Sequence, residues 1–309
     1  MAKKFFFYID DNIFAFQQLA EIKPKSLFDI PFFGMLKDIH DKYGLKLQLN
    51  LFYELSKEHN RGTFTLAEVP DTYKSEWEAN ADWFRLAYHA KKEFPHVPHV
   101  NIDYDEMYET FKNIEREVFR FAGEKTFTYA TCAHWLPVSK EGVQALYDCG
   151  VRVLDSTHGN ACDYEDFTGE LHDIYKEALM SNRKPEAKVD TNEITFESEG
   201  YNLSSWNHIP ADIYDSKIRG TFNYVEDEDT GMKFKTFCSG IILNCFELDH
   251  LESLFDRIKD DELVGMITHE QYFHDFYDYY QPDTKEKIEL MAKYFTEHGF
   301  EFIFAEDII

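Results

Sequence analysis

Two spacings of apolar residues alternate along the chain. Short runs rich in aromatic and β-branched residues read as strands: "KFFFYID" (4–10), "LKLQLNLFYE" (45–54), "FRLAYHA" (84–90), "TFTYATCAHW" (126–135) and "VRVLDST" (151–157). Between them lie stretches with helical spacing. "SLFDIPFFGMLKDIHDKYG" (26–44) has Ser26 as a cap and ends at Gly44. "DYDEMYETFKNIEREVFRFAG" (103–123) sets Met107, Phe111, Ile114, Val118 and Phe121 on one face. "SKEGVQALYDCG" (139–150) is a third helix. Several of these stretches stop at a glycine just before the next strand, the expected left-handed exit from a helix. Residues 158–235 break the rhythm: they are polar, acidic and dotted with short β-like runs, and "EDEDTGMKF" reads as a hairpin turn. The alternation then resumes with "SGIILNCFEL" (239–248), a helix over 249–260, "LVGMITHE" (263–270), a helix over 284–299 and a last strand, "FEFIFAED" (300–307).

Strand and helix repeated in order predict parallel βαβ units. Seven or eight strands in a single domain spanning 1–309 predict an α/β fold, a (β/α)7-8 barrel with residues 158–235 as a small β-rich insertion. In such barrels the chemistry sits at the C-terminal ends of the strands.

Composition narrows the partners. The net charge of −26, from 58 acidic and 32 basic residues, repels nucleic-acid phosphates and anionic membranes. Aromatic residues at 17% supply core and also suit neutral ring-shaped ligands. Five cysteines without a CxxC suggest neither a disulfide framework nor a thiolate zinc site. No signal peptide and no apolar stretch of about 18 residues is visible, so a cytoplasmic protein without a membrane span is expected.

The strand ends carry the candidate chemistry. The first strand closes on Asp10 and Asp11, the third on His89, the fourth on His134 followed by Trp135, the fifth on Asp155, and a late one on His269 and Glu270. Imidazoles with a carboxylate suit one divalent transition metal, zinc first, with cobalt, nickel or iron as the other options. Two adjacent aspartates would divide the work, one binding the ion and the other taking a proton from the water it activates. The plainer reading of that pair is an Asx-type turn and helix cap at Asp11 and Asn12. His269 would be the complementary acid. His96 and His99, in a proline-rich loop, rank below His89 as ligands, and Glu93 is a further weak candidate.

"YIDDNIF", "LAYHA", "HW" and "ITHEQYF", taken in order, resemble the polysaccharide deacetylase-like (glycoside hydrolase/deacetylase) β/α-barrel superfamily, more closely a divergent bacterial branch of it. The likeness covers most of the chain except 158–235. It implies a barrel of the (β/α)7 type, one divalent metal, and removal of N- or O-acetyl groups from sugars. It implies Asp10 as general base, Asp11 as metal ligand and His269 as general acid, and it matches His89 to the first histidine of the family's His-Ser/Thr-x-x-His motif. Two positions depart from the pattern. Glu93 stands where the second histidine is expected, and "HWLP" replaces Arg-x-Pro-Tyr, with His134 in the arginine's place. His134 is then the expected third ligand, with Trp135, Asp155, Glu270 and Tyr272 lining the substrate.

The expected function is a metal-dependent carbohydrate deacetylase working by attack of metal-bound water. Two alternatives stand beside it. One is a metal-independent glycoside hydrolase, pairing Asp10 or Asp11 with Asp155 or Glu270. The other is a carbohydrate-binding or assembly protein with a degenerate site.

Overall fold

In a computed structural model, the structure describes residues 3–94, 98–99, 102–135, 138–158, 188–190, 195–197, 224–226 and 233–308. Strands β1 (Lys3–Asn12), β2 (Leu47–Phe52), β3 (Phe84–Ala90), β4 (Ala130–Cys132) and β5 (Val153–His158) come in the order the apolar runs predict. Within the interruption lie β6 (Lys188–Asp190), β7 (Thr195–Glu197) and β8 (Tyr224–Glu226). Then follow β9 (Lys233–Ile242), β10 (Leu263–His269) and β11 (Phe300–Phe302).

Seven strands form the ring. Their order is β3-β2-β1-β10-β9-β5-β4, and every pairing along it is parallel. β4 then meets β3 through a parallel bridge between Leu86 and Phe127 and a hydrogen bond of 3.0 Å from Thr128 N to Leu86 O. Two more bonds continue that seam upward: Thr131 Oγ1 donates to Tyr88 O, and His134 N donates to His89 O at 3.3 Å. Among the described residues the barrel is therefore seven-stranded. β11 lies outside the ring, pairing with the first residues of β1 below the stretch that β2 covers. The described parts of 158–235 are extended: β6 and β7 form an antiparallel pair, and β8 pairs antiparallel with the start of β9. β5 and β9 themselves run into the two ends of that stretch.

Helices α1 (Phe14–Ile22), α2 (Pro31–Tyr43), α3 (Lys74–Ala79), α4 (Tyr104–Phe121), α5 (Lys140–Asp148), α6 (Leu248–Ile258) and α7 (Thr284–Glu297) connect the strands. Two details correct the reading from sequence. Ser26 caps a separate single turn, Leu27–Asp29, and α2 begins at Pro31, whose missing N–H costs nothing at a first helical position. α1 lies between the first strand and Ser26, where the apolar spacing marks no helix. Its cap residue, Ile13, offers no side-chain acceptor. The carboxylate of Glu270, at the end of the neighbouring strand β10, takes that part, accepting from the backbone N–H of Ile13 (2.6 Å), Phe14 (3.1 Å) and Ala15 (2.5 Å).

The period of two divides each strand between two cores. On β1, Phe5 turns outward against Phe295 of α7, with ring centroids 4.5 Å apart, while Phe6 and Tyr8 stack at 6.1 Å. Phe6 lies against Gly265 on β10, its partner in register, where a side chain would collide with the ring. The same inward row continues to Asp10.

Candidate metal centre

β1 delivers both aspartates to one place by breaking its own pleat. Ile9 pairs with Leu49 and Asn12 with Leu51, so β1 carries one residue more than β2 over that interval. Asp11 takes up the extra residue with a positive φ of 62°. A bulge of this kind re-aims side chains, and Asp tolerates the left-handed region better than most residues. The alternation that would send Asp10 and Asp11 to opposite faces is suspended there. Both carboxylates are buried.

Asp11 meets the two histidines at the β3–β4 seam. Its Oδ1 lies 3.1 Å from His89 Nε2 and 3.1 Å from His134 Nδ1, and those two nitrogens are 3.1 Å apart. All three side chains are buried. The outer nitrogen of each ring faces a backbone carbonyl: His89 Nδ1 is 2.6 Å from Cys132 O, and His134 Nε2 is 3.0 Å from Glu93 O. A carbonyl can only accept, so each outer nitrogen carries the proton. In the neutral rings, the two inner nitrogens are then lone pairs turned toward a carboxylate oxygen.

Three acceptors at such mutual distances repel one another unless a cation or an added proton lies between them. Their electrostatics say the same. Burial alone would raise the Asp11 carboxyl, but His134 and His89 outweigh it and hold it well below the usual carboxylate range. Burial alone would lower His89, but Asp10 and Asp11 raise it. An equilateral triangle with these edges has its corners about 1.8 Å from its centre, so Asp11, His89 and His134 would hold an ion whose bonds are about 2.0–2.2 Å long. Donor types, fixed tautomers and spacing all fit a first-row divalent ion. Asp10, His89 and Cys132 also bring ligand atoms near one another, but the His89 nitrogen on that side is committed to the Cys132 carbonyl.

Around the triangle the remaining candidates divide. Asp10 Oδ1 accepts from Asn50 Nδ2 at 2.5 Å, and burial pushes its carboxyl up against the opposing pull of His89 and His269. His269 pairs with Asp10 in register across β1 and β10. Its Nδ1 lies 2.9 Å from Asn244 Oδ1, and burial lowers its imidazole despite Asp11 and Asp10. Asp11 Oδ2 accepts from Gln271 Nε2 at 2.7 Å. Trp135, half-buried and with a φ of 61°, packs edge-on to His134 at 6.2 Å. Tyr272 is buried between His269 and Tyr277, at 5.9 and 5.4 Å.

Other candidates stand elsewhere. Glu270 is fully buried with its carboxylate on the start of α1 and on His274 Nε2 (3.0 Å), so the fold accounts for it. Asp155 pairs with Cys132 and Phe237 inside β5, which runs on to His158; it does not close the strand, and its side chain lies outside the described residues. The Glu93 carboxylate pairs with His59. His99 packs behind β3 against the Tyr88 hydroxyl at 2.9 Å, and burial pushes it down to about 3. His96 lies outside the described residues.

Three residues that sequence reasoning passed over hold the centre. Gln48 Nε2 donates to Ala130 O (3.1 Å) and to Asn50 Oδ1 (2.6 Å), and Asn50 passes the chain to Asp10. Gln271 holds Asp11. The first two had a signal: within "LQLNLF" the polar residues recur at a spacing of two, which places both on the inner face.

No protein-family model matches the chain, and no curated protein matches it. Among solved structures the chain is similar to a 4-α-glucanotransferase from Thermococcus litoralis, at 11% identity and a TM-score of 0.49, over 99% of this chain and 40% of that one. It is also similar to the α-amylase AmyC from Thermotoga maritima, at 8% identity and a TM-score of 0.43, over 100% of this chain and 74% of that one. The chain thus spans well under half the length of the glucanotransferase. Both proteins are named for carbohydrate chemistry, and neither is named for deacetylation. Among the described residues no helix is long and apolar enough to cross a membrane.

Proposed function

We propose that the chain is a metal-dependent hydrolase that removes an acetyl or similar acyl group from a carbohydrate. The observation that carries this reading is the triangle of Asp11, His89 and His134, with both outer ring nitrogens tied to carbonyls. These three side chains would hold the ion. Bound there, a divalent ion supplies activation of water and polarisation of the acyl carbonyl.

The chain's own groups handle the protons. Asp10, oriented by the Asn50 amide, would take the proton that water loses as it adds to the acyl carbon. The acyl C–N or C–O bond then breaks, and the departing amine or alcohol needs a proton. His269 would supply it from Nε2, since Nδ1 is pinned on Asn244. Burial favours a neutral His269, so it must first be loaded, and Asp10, its partner in register, is placed to hold that proton.

The glycoside hydrolase alternative loses one of its carboxylates, because Glu270 is committed to α1. The test uses elemental analysis together with turnover on acetylated amino-sugar oligomers and a chromogenic acetyl ester. Asp11→Ala and His89→Ala are each expected to lose the metal. Asp10→Asn is expected to keep it and lose turnover. Metal retained at full stoichiometry in both ligand variants would defeat the proposal, and wild-type protein that takes up no metal but binds sugar would favour the degenerate-site alternative.

A further inference from the structure

The outer nitrogen of the His134 ring is anchored on the main-chain carbonyl of Glu93. Nothing in β4 fixes that carbonyl: it lies on the segment after β3, 41 positions earlier in the chain. That segment is tied down by the turn that follows β2. Ser56 Oγ accepts from the backbone N–H of Glu93 (3.1 Å) and of Phe94 (3.4 Å). His59 Nε2 pairs with the Glu93 carboxylate, and each side chain is about one-tenth exposed. The His59 ring is itself seated edge-on against Phe14 at 5.0 Å, beside Phe94 and Tyr277. Residue 93 is thus gripped by its N–H and its carboxylate, and it turns its carbonyl to His134.

We infer that the His59–Glu93 pair is a positioning device for the third ligand: it locks the main chain at residue 93 so that the Glu93 carbonyl accepts the hydrogen bond that His134 Nε2–H donates, and Nδ1 faces Asp11 and His89 as a lone pair. Without that lock the ring can turn over or carry its proton on the nitrogen that faces the triangle. Either change removes a ligand without touching a ligand residue. This inference rests on the metal reading above, and it assigns Glu93 to outer support of the centre.

The experiment titrates metal-stripped protein with cobalt(II) and follows the visible d–d absorption, a readout of ligand geometry that needs no turnover. Wild-type protein is expected to bind one cobalt per chain. Glu93→Ala and His59→Ala are each expected to weaken binding about tenfold, the lower end for outer-shell partners. The double variant is expected to be no weaker than the weaker single one by more than about twofold, since both act through one pair. In a His134→Ala background, Glu93→Ala is expected to shift affinity by less than about twofold. Glu93→Gln, which keeps an acceptor for His59, is expected to restore most of the affinity. If Glu93→Ala fails to fold by circular dichroism, His59→Phe carries the test, keeping a ring against Phe14 and losing the pair, with the same tenfold loss expected. Equal weakening with and without His134, or wild-type affinity in a folded variant that lacks the pair, overturns the inference. Wild-type protein that takes up no cobalt overturns the metal reading itself, and this inference with it.

Discussion

Replacing Glu270 with alanine should be one of the most destabilising single changes in the protein. The carboxylate is fully buried and accepts from three successive backbone N–H groups at the start of α1 and from His274 Nε2. The first N–H groups of a helix have no intrahelical partner, and Ile13 supplies no side-chain substitute. Each buried N–H left orphaned costs about 1–3 kcal/mol. Water entering the vacated space would hold the three to the low end, about 1 kcal/mol each, and the lost favourable charge at the helix N-terminus adds up to about 1 kcal/mol. The expected loss is about 4 kcal/mol. Glu270→Gln keeps one acceptor oxygen but turns an NH2 toward a donor, and should lose about half as much. Urea unfolding followed by fluorescence measures both. With a slope of about 3 kcal/mol/M, the alanine variant's midpoint should fall by about 1.3 M. A loss below about 1 kcal/mol would refute the reasoning and reopen Glu270 as a chemical group.

Further expectations concern packing, pH and thiol reactivity. Gly265→Ala places a Cβ 2.2 Å from the Phe6 ring, which is buried and stacked on Tyr8, and should cost about 1–3 kcal/mol in the same unfolding assay. Burial alone would lower His59, but Glu93 raises it above its ordinary value. The stability it contributes is therefore fully present below about pH 6.5 and is lost as pH rises through its higher folded value, so the stability gap between wild type and His59→Ala should shrink from pH 6 to 8. A gap that widens over that range would contradict the assigned direction. Burial pushes the Cys149 thiol up to about 12, so at pH 8 alkylation of the native protein at this site, read by peptide mapping, should be on the order of 10³ slower than in the unfolded chain.

Much of the barrel was legible because its rules are local. The runs that read as strands became β1 to β5 and β10, and Gly44, Gly123, Gly150 and Gly299 all end helices with positive φ. What escaped was set by distant partners. α1 carries no start signal of its own because its cap stands 256 positions beyond Phe14. "FEFIFAED" has the composition of a barrel strand, but β11 finds only the lower edge of β1, since β2 already occupies the upper part. At the site, Asp10, Asp11, His89 and His134 could be nominated from strand ends, and the structure gathers all four. What turns Asp10 and Asp11 to one place is a bulge that hydrophobic spacing does not encode. Glu270, a carboxylate next to His269 at a strand end, was nominated for chemistry, and the structure places its oxygens on three amides at the start of α1. Gln48 and Asn50 were passed over, since their spacing was visible but amides draw less attention than ionisable groups.

The ring closes where its pairing is thinnest, between β3 and β4, and two corners of the triangle sit on either side of that closure. A guest bridging His89 and His134 would act as a rivet across the joint. Its affinity and the reluctance of the joint to gape would then be one quantity read in two ways, each decade of free ligand above the dissociation constant adding about 1.4 kcal/mol. Slower amide exchange at Thr128 and His134, the residues that stitch the joint, would report a guest even when no reaction takes place.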